Sequence, residues 1–448
     1  MSEKNIAFQL NGKPSLKVAV PLGLQHILAM FTSNLAPIII LAGVIGVSVD
    51  DKIYLIQMAM FASGVATLVQ VFPIGNVGAR LPIVMGTSFS FLSIAVVAGI
   101  KYGLPGVFGA ALAGSIVEIT LGYVLPSIRK YFPPIVTGIV VLAIGLSLLN
   151  VGANYFAGSG NPTAPGYGSG QNLLLGTIVL LTMIGFSTWG KGMWKTSAVL
   201  IGIIVGYIVA SFMGLVDFSA IANAKWLTFP VPLKYGLEFH WDAIALFGAM
   251  YIITAIETVG DCSGVTMGGL NREATKEELR GSILADGFGS AFAALFNALP
   301  NTSFSQNVGI VAMTKVVNRF IVAVGALFLV AGAFIPKFGA IFSVIPNAAL
   351  GGVLIMIFAM IAVSGIRMIT MENLDGRAGL ILALSLGVGF GIASTSTFVN
   401  ALDPDLFSGI LKPVFGLLHW FFSDRVVASG LLAFILNMIL PKDTTVEA

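Results

Sequence analysis

Apolar residues run through this chain in blocks of about twenty, separated by short polar or Gly/Pro breaks, and this rhythm predicts helices that cross a lipid bilayer. Reading block by block gives about fourteen segments. Seven lie near residues 15–45, 51–73, 82–100, 104–125, 132–152, 171–189 and 195–215. Seven more lie near 241–262, 281–297, 301–315, 320–337, 343–366, 378–397 and 426–441. Residues 406–421 read as an amphipathic helix lying at the membrane surface before the last span. The uncharged stretch 152–170, rich in Gly, Pro and Ser, reads as a flexible loop on the outer side.

Two segments break the helical pattern, and they resemble one another. Leu81-Pro82 is followed by Thr87-Ser88-Phe89-Ser90, and Leu299-Pro300 by Thr302-Ser303-Phe304-Ser305. The repeated tetrapeptide recurs 215 residues on, in the third span of each half. Because seven spans per half is an odd number, the second half is expected to sit inverted relative to the first. Inverted repeats with short, interrupted matching helices are a transporter pattern, with the site between them at mid-membrane. Unpaired backbone groups in a bilayer are costly, so short extended leads are expected to pair with each other. Helix N-termini left facing the gap would offer free amides and positive dipole ends to an acceptor-rich ligand.

Composition fits a membrane protein: 57% of the 448 residues are hydrophobic and 10% are charged, against about a quarter charged in a soluble domain. Nothing reads as a nucleic-acid-binding basic patch. With the N-terminus in the cytoplasm, the 23 Lys and Arg residues divide 16 to 7 in favour of the inside, as the positive-inside rule requires. Lys4, Arg129, Lys130, Lys195 and Lys442 belong to that inner set, and the C-terminus is expected inside as well. Residues 1–14 carry no cleavable signal pattern. Cys262 is the single cysteine, which excludes an internal disulfide and a four-cysteine zinc site, and it reads as a buried thiol.

Ionisable side chains within spans are expensive and therefore functional candidates. Met250, Thr254, Glu257 and Asp261 follow helical spacing along one face; Asp286, Ser290, Ala293 and Asn297 do the same in the next span. Gly287 and Gly289 there allow close approach. Gln25 and His26 stand in the first span. Glu257 is the leading candidate for contact with solute and proton, since a carboxyl partly withdrawn from water can exchange a proton and accept N–H bonds. Asp286 is a second proton site or a brace for the cavity, and Asp261 pairs with backbone or a hydroxyl. His26 would orient Glu257 or shuttle protons. Glu118, in the fourth span, has no partner legible in the sequence. No catalytic motif of a hydrolase, zinc protease or nucleotide-binding loop is present.

The segment Gln306-Asn307-Val308-Gly309, followed by Thr314-Lys315, resembles the signature of the nucleobase–ascorbate transporter family. That pattern is Gln or Glu, Asn, any residue, Gly, four residues, Thr, then Arg, Lys or Gly. Gln25-His26, Ser88-Phe89 and Glu257-Thr258-Val259-Gly260-Asp261 add to the likeness, which extends over essentially the whole chain and is nearest to the bacterial uracil/xanthine permeases. The resemblance implies an all-α polytopic protein with a core domain (1–130 and 241–338), a gate domain (131–215 and 339–448) and an outside loop at 216–240. It implies elevator-like movement of core against gate, a homodimer in the cell membrane, and symport with protons, with no other cofactor and no metal. Carried onto this sequence, Glu257 and Gln306 would hydrogen-bond the base and Phe89 would contact its ring. Backbone amides near Ser88 and Phe89, and near Ser305 and Gln306, would reach its carbonyls. Asn307 would hold the motif's geometry and Gly309 would permit close helix packing, while Thr314 and Lys315 would tune selectivity or translocation. Gln306 with Lys315 points to xanthine or urate, because uracil-type members more often carry Glu at the first motif position. A uracil permease of the same family and an anion exchanger of the same architecture are the alternatives.

Overall fold

In the computed structural model, residues 6–128, 133–191, 194, 198–371, 373–374, 376–408 and 411–441 are described. Lys4, Arg129, Lys130, Lys195 and Lys442, counted above on the inner side, lie outside these residues. The elements are α1 (Leu16–Ile45), α2 (Val49–Val71), β1 (Met85–Thr87), α3 (Leu92–Ile128), α4 (Pro134–Phe156), α5 (Gly170–Trp189) and α6 (Ala198–Phe212). They continue as α7 (Trp241–Val265), α8 (Lys276–Leu295), β2 (Asn301–Ser303), α9 (Ser305–Thr314), α10 (Arg319–Ala333) and α11 (Pro336–Ser343). The last are α12 (Asn347–Ile369), α13 (Gly376–Leu384), α14 (Leu411–Phe422) and α15 (Arg425–Ile439). Among the described residues seven helices are long and apolar enough to cross a membrane, or nine if each of two bent pairs forms one span. The bent pairs are α10 with α11, at 87°, and α14 with α15, at 104°. Side chains such as Val97, Ile116, Leu181 and Ile208 remain exposed, as expected of surfaces solvated by acyl chains.

Local chemistry accounts for most of the breaks. Gly103, with φ 67° and ψ −171°, interrupts α3 at the boundary expected between residues 100 and 104. Residues 82–88 and 301–304 are not helical, because Pro82 and Pro300 lack an N–H and push the preceding residue toward extended backbone. The ten residues of α9 rise about 15 Å, half a hydrocarbon core. The stretch 152–170 differs from its expectation: α4 runs on to Phe156, with no breaker before Gly158 at φ 109°. The remainder is fastened, not loose, since Tyr167 donates to Asn154 at 2.8 Å and Asn172 to the Gly166 carbonyl at 2.9 Å. The span expected at 320–337 ends at Ala333, where the chain turns sharply into α11.

Packing divides the chain into two compact units, Met1–Pro126 with Val151–Met356, and Ser127–Asn150 with Ile357–Ala448. In the second, α4 and α12 cross through glycines: a Cβ at Gly138 would lie 2.7 Å from the Ile369 nitrogen, and one at Gly365 would collide with Leu142. Small residues that let backbones touch are the usual basis of helix association in lipid. In the first unit α10 packs along α1 and α2. A Cβ at Gly325 would lie 2.6 Å from the Gly23 carbonyl oxygen, and one at Gly23 2.6 Å from that of Ile321. Gly325→Val is expected to remove about 3 kcal/mol or more, because neither backbone can move aside, and to appear as a much lower melting temperature in detergent. An unchanged melting temperature would refute this crossing.

A candidate substrate site on two paired extended segments

The two Thr-Ser-Phe-Ser segments meet. β1 and β2 pair antiparallel, with Met85 opposite Ser303, Gly86 opposite Thr302 and Thr87 opposite Asn301. The ladder extends at both ends, where Phe304 N donates to the Val84 carbonyl at 3.0 Å and Ser88 N to that of Pro300 at 2.9 Å. A two-stranded ribbon still has two open edges, and buried side chains close them. Thr87 N donates to Asn34 Oδ1 at 2.8 Å, and Met85 N to Thr67 Oγ1 at 2.9 Å. On the other edge Asn301 N donates to Ser290 Oγ, and that hydroxyl donates to the Asn301 carbonyl, both at 3.0 Å. Gly86 has no room for a side chain: a Cβ would sit 2.5 Å from both Met30 and Phe304. Each strand then turns directly into helix, through a tight turn at Phe89–Phe91 on one side and at Ser305 on the other. The first N–H groups of such helices have no acceptor within the helix.

One face of α7 lies against this ribbon. Glu257 is half-buried, and Ser90 Oγ donates to its Oε2 at 3.3 Å, a long contact that leaves acceptor capacity for a ligand. Asp261, one turn on, accepts from Ser303 and Ser305 hydroxyls at 2.7 Å each, tying α7 to the strand-to-helix junction. Asp286, fully buried on α8, accepts from Thr258 and, at 3.1 Å, from Thr302. Helix α9 packs close to the end of α7: a Cβ at Gly264 would lie 2.7 Å from Val308. Through these contacts Glu257, Asp261, Ser305 and the adjacent Gln306 fall in one neighbourhood with Ser88 and Phe89. Ser88 and Phe89 are buried and Gln306 half-buried.

Three expectations are revised. His26 faces Asn307, not Glu257: Asn307 Nδ2 lies 3.1 Å from His26 Nδ1 and donates to the His26 carbonyl at 2.9 Å. This bond fastens α9 to α1. Glu118 does have a partner, Thr254, whose hydroxyl donates to it at 3.0 Å. Gly309 is exposed, and a Cβ there would meet nothing within 4 Å, so close packing is not what this glycine provides. Gly287 does provide it, since its Cβ would fall 2.9 Å from the Ile119 nitrogen. Gln25 is half-buried beside His26. Thr314 bonds back to the Ile310 carbonyl at 2.8 Å, and Lys315, at φ 59°, ends α9 and donates to the Gly268 carbonyl at 2.6 Å. Cys262 is buried. No group of three or more His, Cys, Asp or Glu among the described residues could hold a metal ion.

The sequence reading missed Asn34, Ser63 and Thr67. Ser63 donates to Asn34 Oδ1 at 2.6 Å. A signal for them existed: Ser63, Thr67 and Gln70 follow helical spacing on an otherwise apolar span.

Apolar helices of spanning length around a buried polar centre define a multi-pass membrane protein. Residues 17–397 match the sequence model of a permease family. The chain belongs to that family, the nucleobase–ascorbate transporters, whose members are permeases and not enzymes. It is 33% identical to the xanthine permease XanQ of Escherichia coli, over 98% of this chain and 94% of that protein. It is 33% identical to the uric acid permease PucK of Bacillus subtilis, over 90% and 91%. It is 37% identical, over 99% and 95%, to a Clostridium perfringens protein provisionally named a purine permease. In fold it is similar to the transmembrane domain of the cyanobacterial bicarbonate transporter BicA, at TM-score 0.56 and 13% identity over 90% of this chain and 97% of that one. The corresponding values for SLC26A9 are 0.59 and 12%, over 91% and 66%.

Proposed function

We propose that this permease imports xanthine or urate together with protons, and that Glu257 and Gln306 grip the base. The observation that carries the reading is Glu257, a half-buried carboxyl that Ser90 reaches at 3.3 Å, one turn from the Asp261 that holds Ser305 at the start of α9. A nucleobase is planar, neutral and rimmed with alternating donors and acceptors, so it matches one carboxylate, one amide and free backbone N–H groups. Ser88, Phe89 and Ser305 would line the same pocket, Asp286 and His26 would serve proton coupling, and Asn307 and Asp261 would hold the frame. The names of the relatives support a purine, and Gln306 supports a purine over uracil.

The wider frame belongs to the same proposal: fourteen spans as two inverted repeats, both termini cytoplasmic, in a homodimer of the cell membrane. The ribbon register supports the repeat, because an offset of 215 residues carries the Gly86–Thr302 pair onto Asn301–Thr87, as a local two-fold axis would. Spans 1–4 and 8–11 would move as a core against spans 5–7 and 12–14. That division concerns which parts move, whereas the compact units concern packing in one conformation.

Uptake of radiolabelled xanthine, urate and uracil into proteoliposomes, with and without an imposed proton gradient, tests the proposal. Xanthine accumulation driven by the gradient is expected. Sulfate or bicarbonate exchange with xanthine inert would replace this reading by the anion exchanger, for which Glu257 would be repulsive. Gln306→Glu is expected to shift preference between xanthine and uracil by about 10-fold, as one hydrogen bond to a charged group would; an unchanged profile would rule out direct contact.

A further inference from the structure

Beside Asp286, to which the proposal above gives a proton-coupling role, stands a second buried acid that no role above absorbs, Glu118. Glu118 on α3 and Asp286 on α8 are both fully buried. Helices α3 and α8 touch at the next residue of each, Ile119 against Gly287. Both acids lean on one stripe of α7: Glu118 accepts from Thr254 and Asp286 from Thr258, one turn apart. Among the described residues Glu118 Oε2 is buried with no hydrogen-bond partner, and Asp286 Oδ1 receives no side-chain donor. The titratable groups among them that face the pair are Tyr251, Glu257 and Asp261, all on α7. None is a cation, and the ion pairs formed among the described residues lie elsewhere.

Two buried carboxylates without a counter-ion are not sustainable in a low-dielectric interior. Like-charged acids in one setting titrate as a pair and retain a proton in common. We infer that Glu118 and Asp286 form a proton-holding pair, a store hung on Thr254 and Thr258 of α7, which stand on either side of Glu257 in the chain. Glu118 is in this sense a positioning residue, since it acts on Asp286 and does not touch the base. The inference deepens the proton-coupled reading above and rests on it for its role in transport.

The test is infrared spectroscopy of purified, substrate-free protein in a Glu257→Gln background, following the protonated-carboxyl C=O band against pH. Glu118→Gln keeps shape and hydrogen bonding but removes the like charge, and is expected to move the titration of that band by about one pH unit toward acid. Thr254→Val removes the donor that favours the ionised form of Glu118 and is expected to move it the opposite way. A band unmoved by Glu118→Gln, or moved in one direction by both variants, overturns the pair. If Glu118→Gln does not fold, Thr254→Val decides alone: an alkaline shift supports the pair and no shift overturns it. Uptake indifferent to a proton gradient would defeat proton symport while leaving the band shift intact, so the two failures are distinguishable.

Discussion

Glu257→Gln is expected to reduce xanthine binding about 100-fold or more and to abolish proton-driven accumulation in proteoliposomes. The carboxylate is the charged acceptor assigned to the base, since Asp261 is taken up by Ser303 and Ser305, and each hydrogen bond it makes to a ligand N–H contributes about 1.5–3 kcal/mol, or about 10- to 100-fold. Gln offers one acceptor in place of two and cannot exchange a proton. The fold should survive, because the side-chain hydrogen bond to Glu257 among the described residues is the 3.3 Å one from Ser90, which the amide oxygen can keep. Equilibrium binding in detergent and gradient-driven uptake should therefore fail while the melting temperature holds. Wild-type affinity in this variant would remove Glu257 from the site, and with it the main support for a nucleobase pocket.

Asn34→Leu should be nearly as damaging for a different reason. Asn34 Oδ1 takes hydrogen bonds from Thr87 N and from Ser63 Oγ, and Asn34 is fully buried. Leucine has similar volume, so little is lost in packing, yet the Thr87 N–H is left unmet, while the Ser63 hydroxyl keeps Asn301 Oδ1 at 3.2 Å. A buried donor left unmet costs about 1–3 kcal/mol, and this one belongs to the ribbon on which both helix starts are mounted. A melting temperature lowered by many degrees is expected, together with loss of xanthine binding. Ser63→Ala removes one donor and leaves the Asn34–Thr87 bond in place, so its effect should be distinctly smaller. Equal stability of Asn34→Leu and wild type would mean that the ribbon edge is satisfied in some other way.

Much of this was legible from residue order. Pro82 and Pro300 with their repeated tetrapeptides announced where helix would fail, and Gly103 marked the break in α3. The stripe of Thr254, Glu257 and Asp261 was visible because helical spacing is local. Their partners were not. His26 bonds to Asn307, 281 positions away, and Thr67 bonds to Met85 across a sharp turn. Gly309 illustrates the opposite error: a motif glycine invites a packing explanation, yet open space surrounds it.

The amino-acid order by itself determined the solvent this chain lives in, the places where its helices stop, and the family it belongs to. Each of those follows from short-range properties: apolar run length, proline stereochemistry and a ten-residue signature. Only the tertiary structure decided which side chains close the ribbon's edges and which hydroxyls hold each buried carboxyl. It also decided that two buried acids on different helices, Glu118 and Asp286, meet threonines one turn apart on α7. A polar residue in a span must find a partner, but hydrogen bonding is indifferent to sequence distance, so the choice of partner is made by how the helices pack.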